Sequence, residues 1–347
     1  MIFLNAIDYY FPKKEVNNKK IIEDFHRFVN SNDESLSEEG IFEKTGVRRR
    51  FESELSSTAK DLGISAAQEL FQSYNINKSS IQAVIFVSDA LDYKGPATAC
   101  VIQAELELPK SVLAFDVLQG CTGWIYGLSL AKGLIASDQV DNVLLITADI
   151  PRRVIHPEDI ELSALFSDAS AATIISKSHD SENINGKINN FDFGTDGKGR
   201  PHLFMERSAS KMPADIEWLD QYKHLPSGLQ GGRLRMNSDK VFLFALRTVP
   251  MLTKNILKKN GLTKSDIDYF VFHQANGIML EFLRKRMKIP KEKFIINIEQ
   301  IGNTVSSSIP IALSQLFKKT QLRKGMKLLV AGFGIGFSWG GTILIIE

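Results

Sequence analysis

The chain has 347 residues, enough for one large or two medium-sized domains with a sizeable hydrophobic core. Its 42 Lys and Arg residues nearly balance its 40 Asp and Glu residues, and the net charge of +2 excludes a strongly basic nucleic-acid-binding protein. Apolar residues make up 44% and charged residues 24% of the sequence, which are the proportions of a globular and not of a disordered chain.

The cysteine content and the N-terminus indicate the compartment. The sequence has two cysteines, Cys100 and Cys121, and no basic-then-apolar leader. A disulfide framework and secretion are therefore not expected, and a reducing cytoplasm is predicted. The segment 328–346 has no charged residue, but the glycines among its β-branched and aromatic residues are typical of two buried strands and not of a membrane span.

Short apolar runs recur along the chain and predict strands that are buried on both faces. In chain order they are 83–87, 112–117, 143–147, 171–175, 269–272, 294–298 and a pair within 328–346. Helical patterns lie between several of them, at 121–136 and 241–259. The alternation predicts an α/β protein with a layered sheet, interrupted by an irregular junction and insertion from Ser178 to Gly228.

An internal duplication is the most informative pattern. Residues 78–87 and 264–273 share a polar turn that leads into a buried strand, at an offset of 273 − 87 = 186 residues. Gly120-Cys121-Thr122 and Gly302-Asn303-Thr304 each follow a predicted strand, at an offset of 303 − 121 = 182 residues. Two offsets this similar predict two similar βα halves.

The duplication predicts where reactive residues meet. We place the two halves at residues 1–178 and 179–347, related by a pseudo-twofold axis. Matching loops of the two halves would then share one cleft at the strand ends. Cys121, His273 and Asn303 are the residues that this arrangement brings to the cleft.

Cys121 is the candidate nucleophile. It opens a predicted helix, and because a helix N-terminus favours an anion, we expect an acidified and nucleophilic thiol. The alternative is a buried structural thiol, the usual role of an unpaired cysteine. Cys100 has neither a turn before it nor a counterpart in the duplication, and it is interpreted as structural.

His273 and Asn303 are the candidate partners of the cysteine. His273 ends an apolar run, at a strand end where α/β sheets bind ligands, whereas the other histidines lie in polar or loop surroundings. Asn303 follows Gly302 and has the alternative of a simple turn residue. The duplication places its amide opposite Cys121, where it would donate with His273 to a developing oxyanion.

Motifs for other chemistry lack their context. The glycine-rich segment 332–336 ends the chain and opens no βαβ unit, and the segment 194–199 lacks the spacing and hydroxyl of a P-loop. No Cys and His cluster has zinc-ligand spacing. Hydride transfer, nucleotide hydrolysis and metal catalysis are therefore not supported, and no metal is expected.

These residues resemble those of the β-ketoacyl-acyl-carrier-protein synthase III group of the thiolase superfamily. The resemblance covers nearly the whole chain in ordered blocks, at residues 6–12, 45–50, 116–123 (Asp-Val-Leu-Gln-Gly-Cys-Thr-Gly), 272–276 (Phe-His-Gln-Ala-Asn), 302–304 (Gly-Asn-Thr) with 308–310, and 336–340 (Gly-Phe-Ser-Trp-Gly). It implies a duplicated thiolase-like fold, with two βα halves packed as a layered α-β-α-β-α sandwich.

The resemblance also implies a reaction. Cys121 takes an acyl group from a thioester, while His273 and Asn303 hold the carbonyl of a malonyl thioester as it loses CO2. The carbanion then attacks the acyl-cysteine and gives a β-ketoacyl product. Backbone amides of Cys121 and of the turn from Gly334 to Gly336, which includes Ile335, are expected to form a second oxyanion hole.

Partners follow from the same resemblance. Phe333 is expected beside the substrate, and a cytoplasmic homodimer without a bound cofactor is expected. Its substrates are acyl and malonyl thioesters carried on the phosphopantetheine of acyl carrier protein or on coenzyme A. No nucleic acid and no membrane span are expected.

Departures from the family pattern affect the acyl donor. Gly40 and Ile160 replace a Trp and an Arg that contact the coenzyme A adenine, so a carrier-bound donor is expected. Gly95 replaces a bulky gate residue before Pro96, which is expected to lengthen the acyl tunnel across a dimer interface. Ile278 replaces the usual carrier-docking Arg.

Arg284, Lys285 and Arg286 are the predicted carrier-docking cluster in place of that Arg. They lie one or two helical turns beyond Ile278. The alternative is a solvated helix face.

The predicted function is a decarboxylative condensation that uses a carrier-bound acyl donor longer than acetyl. One alternative keeps the fold and moves the acyl group from Cys121 to a hydroxyl or amine without condensation. The other is a non-catalytic partner subunit of a ketosynthase heterodimer. The joint presence of Cys121, His273 and Asn303 argues against that scaffold role.

Overall fold

The apolar runs of the sequence form most of the strands of one 11-stranded sheet. The computed structural model describes residues 1–30, 35–179, 186–225, 229 and 232–347. The strands are β1 Phe3–Tyr10, β2 Lys14–Asn17, β3 Arg49–Glu52, β4 Ala83–Ser88, β5 Leu113–Leu118, β6 Asn142–Asp149, β7 Ala169–Ser176, β8 Gly186–Ile188, β9 Asp192–Thr195, β10 Leu203–Glu206, β11 Arg233–Met236, β12 Tyr269–Phe272, β13 Phe294–Ile295, β14 Lys327–Gly334 and β15 Ser338–Ile346. The α-helices are α1 Asn18–Val29, α2 Glu38–Thr45, α3 Ala59–Ser73, α4 Thr98–Glu105, α5 Gly123–Ala136, α6 Ile160–Leu165, α7 Ile216–Tyr222, α8 Ser238–Lys259, α9 Gly277–Arg286 and α10 Ser308–Lys319.

The sheet contains the same strand arrangement twice. Its order is β13-β12-β14-β15-β8-β1-β7-β6-β4-β5, with β9 paired to β15. β4 lies parallel between β5 and β6, and β7 and β1 follow antiparallel. β12 likewise lies parallel between β13 and β14, and β15 and β8 follow antiparallel. This repeat agrees with the duplication in the sequence, whereas the domain boundary at residue 178 stays a prediction.

Helices cover both faces of each half of the sheet and build the predicted α-β-α-β-α layers. The almost wholly apolar α5 packs on β4 and β6 from one half and on β14 and β15 from the other. α10 lies beside it and contacts β1, β7, β12 and β14. α3 and α4 cover the outer face of the first half, and α8 and α9 that of the second. Burial of apolar side chains from both halves against α5 and α10 forms the central core.

Some sequence predictions need correction. The run at 112–117 forms β5, which is an edge strand with Leu113 43% and Leu118 70% exposed, because it pairs only with β4 in the described part of the chain. The run at 294–298 is strand only at β13, since a 3-10 turn begins at Ile298. The N-terminal strand β1 joins the two halves of the sheet and was not predicted.

The predicted irregular segment 178–228 is more regular than expected. Its described residues include β8, β9, β10 and the short α7. Residues 180–185 and 226–228 of that segment lie outside the described residues.

Close packing of α5 against the sheet positions the cysteine that precedes it. An added Cβ at Gly127 would lie 2.5 Å from a methyl carbon of Leu145 on β6. Gly133 in the same helix is exposed, and an added Cβ there would meet no atom within 4 Å. The absence of a side chain at Gly127 therefore sets how near α5 approaches the strands.

We expect Gly127→Ala to lower the free energy of unfolding by about 1–3 kcal/mol, because the extra methyl overpacks a buried contact. Gly133→Ala is the matched control and should raise that free energy by about 0.5–1 kcal/mol through helix propensity alone. Chemical denaturation of both variants measures the difference. Equal effects of the two substitutions would contradict the close approach of α5.

Candidate active site

A cavity of about 630 Å³ lies at the carboxyl ends of the parallel strands and is lined by residues from both halves of the sheet. Cys121, His273 and Asn303 all line it. Much of the remaining wall is apolar, with Phe242 and Phe333 among its side chains. The structure therefore brings together the three residues that the sequence singled out, and their catalytic roles stay a prediction.

Cys121 lies between the end of β5 and the start of α5 and is only 7% exposed. Gly334, at the end of β14, packs directly on it, because an added Cβ at Gly334 would lie 2.7 Å from the sulfur. The backbone of the next residue, Ile335, hydrogen-bonds to the Cys121 sulfur. Strands from one half of the sheet thus form the wall behind a nucleophile from the other half.

The expectation of an acidified Cys121 thiol is wrong for this structure. Burial raises the pKa of the thiol to about 12, and the charges of Asp89 and Asp149 act in the same direction, against the hydrogen bond from the Ile335 backbone. α5 begins two residues after the cysteine, at Gly123, so the sulfur does not sit on the first helical residue. The resting group at pH 7 is therefore the thiol.

His273 follows β12 and is 1% exposed. Its Nδ1 lies 2.6 Å from Oγ of Ser308, whereas its Nε2 has no hydrogen-bond partner among the described residues. Burial lowers the pKa of the imidazole to about 3, with partial opposition from the Val305 backbone. The ring is therefore neutral at pH 7 and has one nitrogen available to a substrate.

Backbone groups fix the side-chain amide of Asn303. Its Oδ1 accepts a hydrogen bond from the Val305 N–H at 2.9 Å, and its Nδ2 donates to the Ala275 carbonyl at 3.0 Å. An amide nitrogen has two hydrogens, so one N–H of Asn303 remains for a ligand. Val305 has φ of 51°, a strained backbone conformation for a β-branched residue.

Two carboxyl groups, the buried Asp149 and the half-buried Asp89, lie behind the site and were missed by sequence reasoning. Oδ1 of Asp149 accepts the Asp89 N–H at 3.0 Å, and its Oδ2 accepts the N–H of Ser306 at 3.0 Å. Burial raises the pKa of Asp149 well above its ordinary value, the charge of Asp89 raises it further, and burial also raises the pKa of Asp89. Both aspartates lie at the ends of buried strands, the same position that predicted a site role for His273.

The predicted substrate-binding residues divide into two groups. Phe333 lines the cavity, and Ile335 contributes its backbone to Cys121. Gly336 is not among the lining residues, and an added Cβ there would lie 2.8 Å from the Ser338 nitrogen. Gly95 is exposed and is not among the residues that line the cavity of its own chain, and its expected place at an acyl tunnel across a dimer interface stays a prediction.

The cavity mouth contains the positions that depart from the family pattern. Gly40, Ile160 and Ile278 all line it, and Lys44 is the one cation among the described lining residues. The mouth therefore offers little positive charge to a phosphate.

The predicted docking cluster lies in the last turn of α9. The Arg284 guanidinium is already bound by the Glu281 carboxylate at 2.8 and 2.6 Å and by the Ile289 carbonyl at 2.8 Å. Lys285 and Arg286 are exposed. Of the three predicted docking residues, Arg284 is therefore the least available to a partner.

Two features are absent from the described residues. Among the described residues, no three His, Cys, Asp or Glu side chains are grouped as a metal site. Within the same part of the chain, no helix has the length and apolar character needed to cross a bilayer.

Comparison with known proteins identifies similar chains. The family model for 3-oxoacyl-[acyl-carrier-protein (ACP)] synthase III matches residues 115–197, and the model for its C-terminal part matches residues 257–346. The beta-ketoacyl-[acyl-carrier-protein] synthase III of Caldanaerobacter subterraneus subsp. tengcongensis is 30% identical over 96% of this chain and 95% of its own length. That of Chlamydia caviae is 32% identical over 96% of this chain and 94% of its own. A crystal structure of a 3-oxoacyl-(acyl-carrier-protein) synthase III has a TM-score of 0.88 and 35% identity, and the match covers 99% of both chains.

The raised pKa of Cys121 predicts how the thiol reacts with iodoacetamide in the absence of substrate. Because only the thiolate reacts, alkylation of Cys121 should rise with pH up to at least pH 10 without reaching a plateau. Peptide mass spectrometry separates this adduct from that of Cys100, and Cys121→Ala provides the blank. A plateau below pH 8 would mean that the thiol is acidified, as the sequence first indicated.

Proposed function

The chain belongs to the 3-oxoacyl-[acyl-carrier-protein] synthase III family, and we propose that it condenses an acyl thioester with a malonyl-type thioester through an acyl-cysteine at Cys121. The observation that supports this most directly is the meeting of Cys121, His273 and Asn303 in one largely apolar cavity. A nucleophile alone would suit simple acyl transfer. The two neutral donors beside it fit a reaction that also forms an enolate.

The first half-reaction is a thioester exchange. The Cys121 sulfur attacks the carbonyl carbon of the donor, the bond from that carbon to the donor sulfur breaks, and the proton of the Cys121 thiol leaves with the departing thiol. The exchange consumes no net proton. This balance suits a cysteine whose pKa burial raises to about 12, since the proton moves from one sulfur to another.

The second half-reaction needs the donors. Loss of CO2 from the malonyl group leaves an enolate, whose oxygen accepts hydrogen bonds from His273 and from the free N–H of Asn303. The enolate carbon attacks the acyl-cysteine carbonyl, so that a carbon–carbon bond forms and the bond to the Cys121 sulfur breaks. The Cys121 thiolate then takes up one proton. Because the His273 ring is neutral, it stabilises the enolate without protonating its carbon.

We assign the acyl donor to a carrier protein and its acyl chain to a length beyond acetyl. The residues at the mouth support this, because Gly40 and Ile160 provide neither a ring nor a guanidinium for a nucleotide base. Docking is assigned to α9, where exposed Ile278 and Phe282 lead to exposed Lys285 and Arg286. An apolar patch bordered by cations fits the surface of an acidic partner.

We further propose a homodimer that forms at the edge strand β5. Its exposed Leu113 and Leu118 form an apolar edge of the sheet, and Tyr93, in the loop before α4, is 56% exposed. Pairing with a second copy would cover this edge. It would also bring Gly95, which is exposed on the loop before α4, towards the cavity of the other copy.

Decarboxylation of the malonyl thioester tests the condensation. Cys121→Ala should abolish product but retain release of CO2, since both donors remain. Asn303→Asp should lower decarboxylation by about 10²–10³-fold through loss of a donor, while Cys121 is still acylated. Release of 14CO2 and intact-protein mass spectrometry measure the two half-reactions. A wild-type protein that acylates Cys121 without ever decarboxylating malonyl thioesters would be a simple transferase.

Docking is tested by replacing both Lys285 and Arg286 with Ala. KM for an acyl-carrier donor should rise about three- to tenfold, and KM for the matching acyl-coenzyme A should not change, because each rim charge contributes up to about 1 kcal/mol. Replacement of Lys254 and Lys258 with Ala, at the far end of α8, removes the same charge as a control. An equal rise in both variants would assign the effect to net charge and not to α9.

A further inference from the structure

Ser308 is the first residue of α10 and is fully buried. Its Oγ lies 2.6 Å from Nδ1 of His273 and accepts the backbone N–H of Gln274 at 3.3 Å. It thus contacts the side of the ring that faces away from the free Nε2. No part of the condensation described above uses this hydroxyl.

The direction of the hydrogen bond between Ser308 and His273 follows from counting protons. A serine hydroxyl has one proton to donate, and a backbone N–H only donates, so the Gln274 contact leaves the Ser308 proton unused. Among the described groups in hydrogen-bond contact with Oγ, Nδ1 of His273 alone can accept that proton. The arrangement that satisfies all of these groups therefore has Ser308 donating to Nδ1.

The state of Nε2 follows from that direction. A neutral imidazole has one N–H, and a ring nitrogen that accepts a hydrogen bond does not hold it. With Nδ1 as acceptor, the proton is on Nε2. Nε2 is buried without a partner among the described residues, and His273 lines the cavity.

We propose that Ser308 is a positioning residue that holds His273 in the tautomer protonated at Nε2, so that the ring acts as a hydrogen-bond donor in the cavity. The catalytic consequence rests on the proposed function, whereas the tautomer is a property of the free protein. The opposite tautomer would direct a lone pair at the enolate oxygen and repel it. Ser308 should therefore affect decarboxylation and not the acylation of Cys121.

NMR of the full chain with 15N-labelled histidine tests the tautomer directly. At pH 7, His273 should show a protonated Nε2 and an unprotonated, hydrogen-bonded Nδ1, and His273→Gln assigns the signals by their loss. In Ser308→Ala the Nδ1 signal should move, and protonation at Nδ1 should become detectable. Ser308→Thr retains the hydroxyl and should restore the wild-type pattern.

The two half-reactions supply the second readout. Ser308→Ala should lower the rate of malonyl decarboxylation about two- to tenfold, the effect of losing one neutral hydrogen bond, without slowing acylation of Cys121. Ser308→Thr should recover most of that rate. Ser314→Ala is the matched control, because it removes a buried hydroxyl of the same helix that donates to the Ile7 carbonyl at 3.2 Å, and it should leave decarboxylation unchanged.

The outcomes separate this proposal from the condensation itself. A wild-type spectrum with Nδ1 protonated would mean that the ring donates to Ser308 or to the Val305 backbone, and it overturns the tautomer assignment even if no variant folds. Identical signals in wild type and Ser308→Ala, or equal slowing of both half-reactions, overturn the role of Ser308. A protonated Nε2 in a protein that never decarboxylates malonyl thioesters would confirm the tautomer and reject the condensation.

Discussion

The contact between Cys121 and Gly334 decides where the reactive groups of this protein meet. Cys121 follows β5 in one half of the sheet, and Gly334 ends β14 in the other. The Gly334 Cα lies so close to the sulfur that only a hydrogen, and no side chain, fits between them. Gly332 on the same strand is packed in a similar way, since an added Cβ there would lie 3.0 Å from the Thr122 Cα. Two glycines on one strand thus let the halves approach closely, and this approach buries the sulfur and places the Ile335 backbone on it.

The same burial explains which sequence predictions held. Uncharged apolar runs correctly predicted six strands, because a continuous apolar run of strand length is typical of a strand that is buried on both faces. These strands are β4, β6, β7, β12, β14 and β15. Cys121, His273 and Asn303 were found because a polar residue that follows such a run lies at a strand end, and the duplication relates two of these ends. The prediction of a lowered pKa for the Cys121 thiol was wrong because desolvation of the sulfur depends on side chains that are distant in sequence, and these cannot be read from the local pattern.

Other features could not be read from the sequence. Ser306, Ser307 and Ser308 look alike in the sequence, yet Ser306 binds Asp149, Ser307 pairs with Thr147 and Ser308 reaches His273. The three side chains point in different directions because a 3-10 turn ends at Ser307 and α10 begins at Ser308. No local sequence pattern specifies these directions.

Desolvation favours the neutral forms of Cys121, Asp149 and His273. Burial raises the pKa of the Cys121 thiol and of Asp149 and lowers that of His273, so the resting site holds a thiol, a neutral imidazole and an amide. A protonated imidazole would quench a carbanion by giving it a proton. A site of neutral donors avoids this loss and still offers two hydrogen bonds at the position where the enolate charge develops. The low polarity that makes Cys121 a poor thiolate in the resting protein is therefore the same property that suits the site to carbanion chemistry.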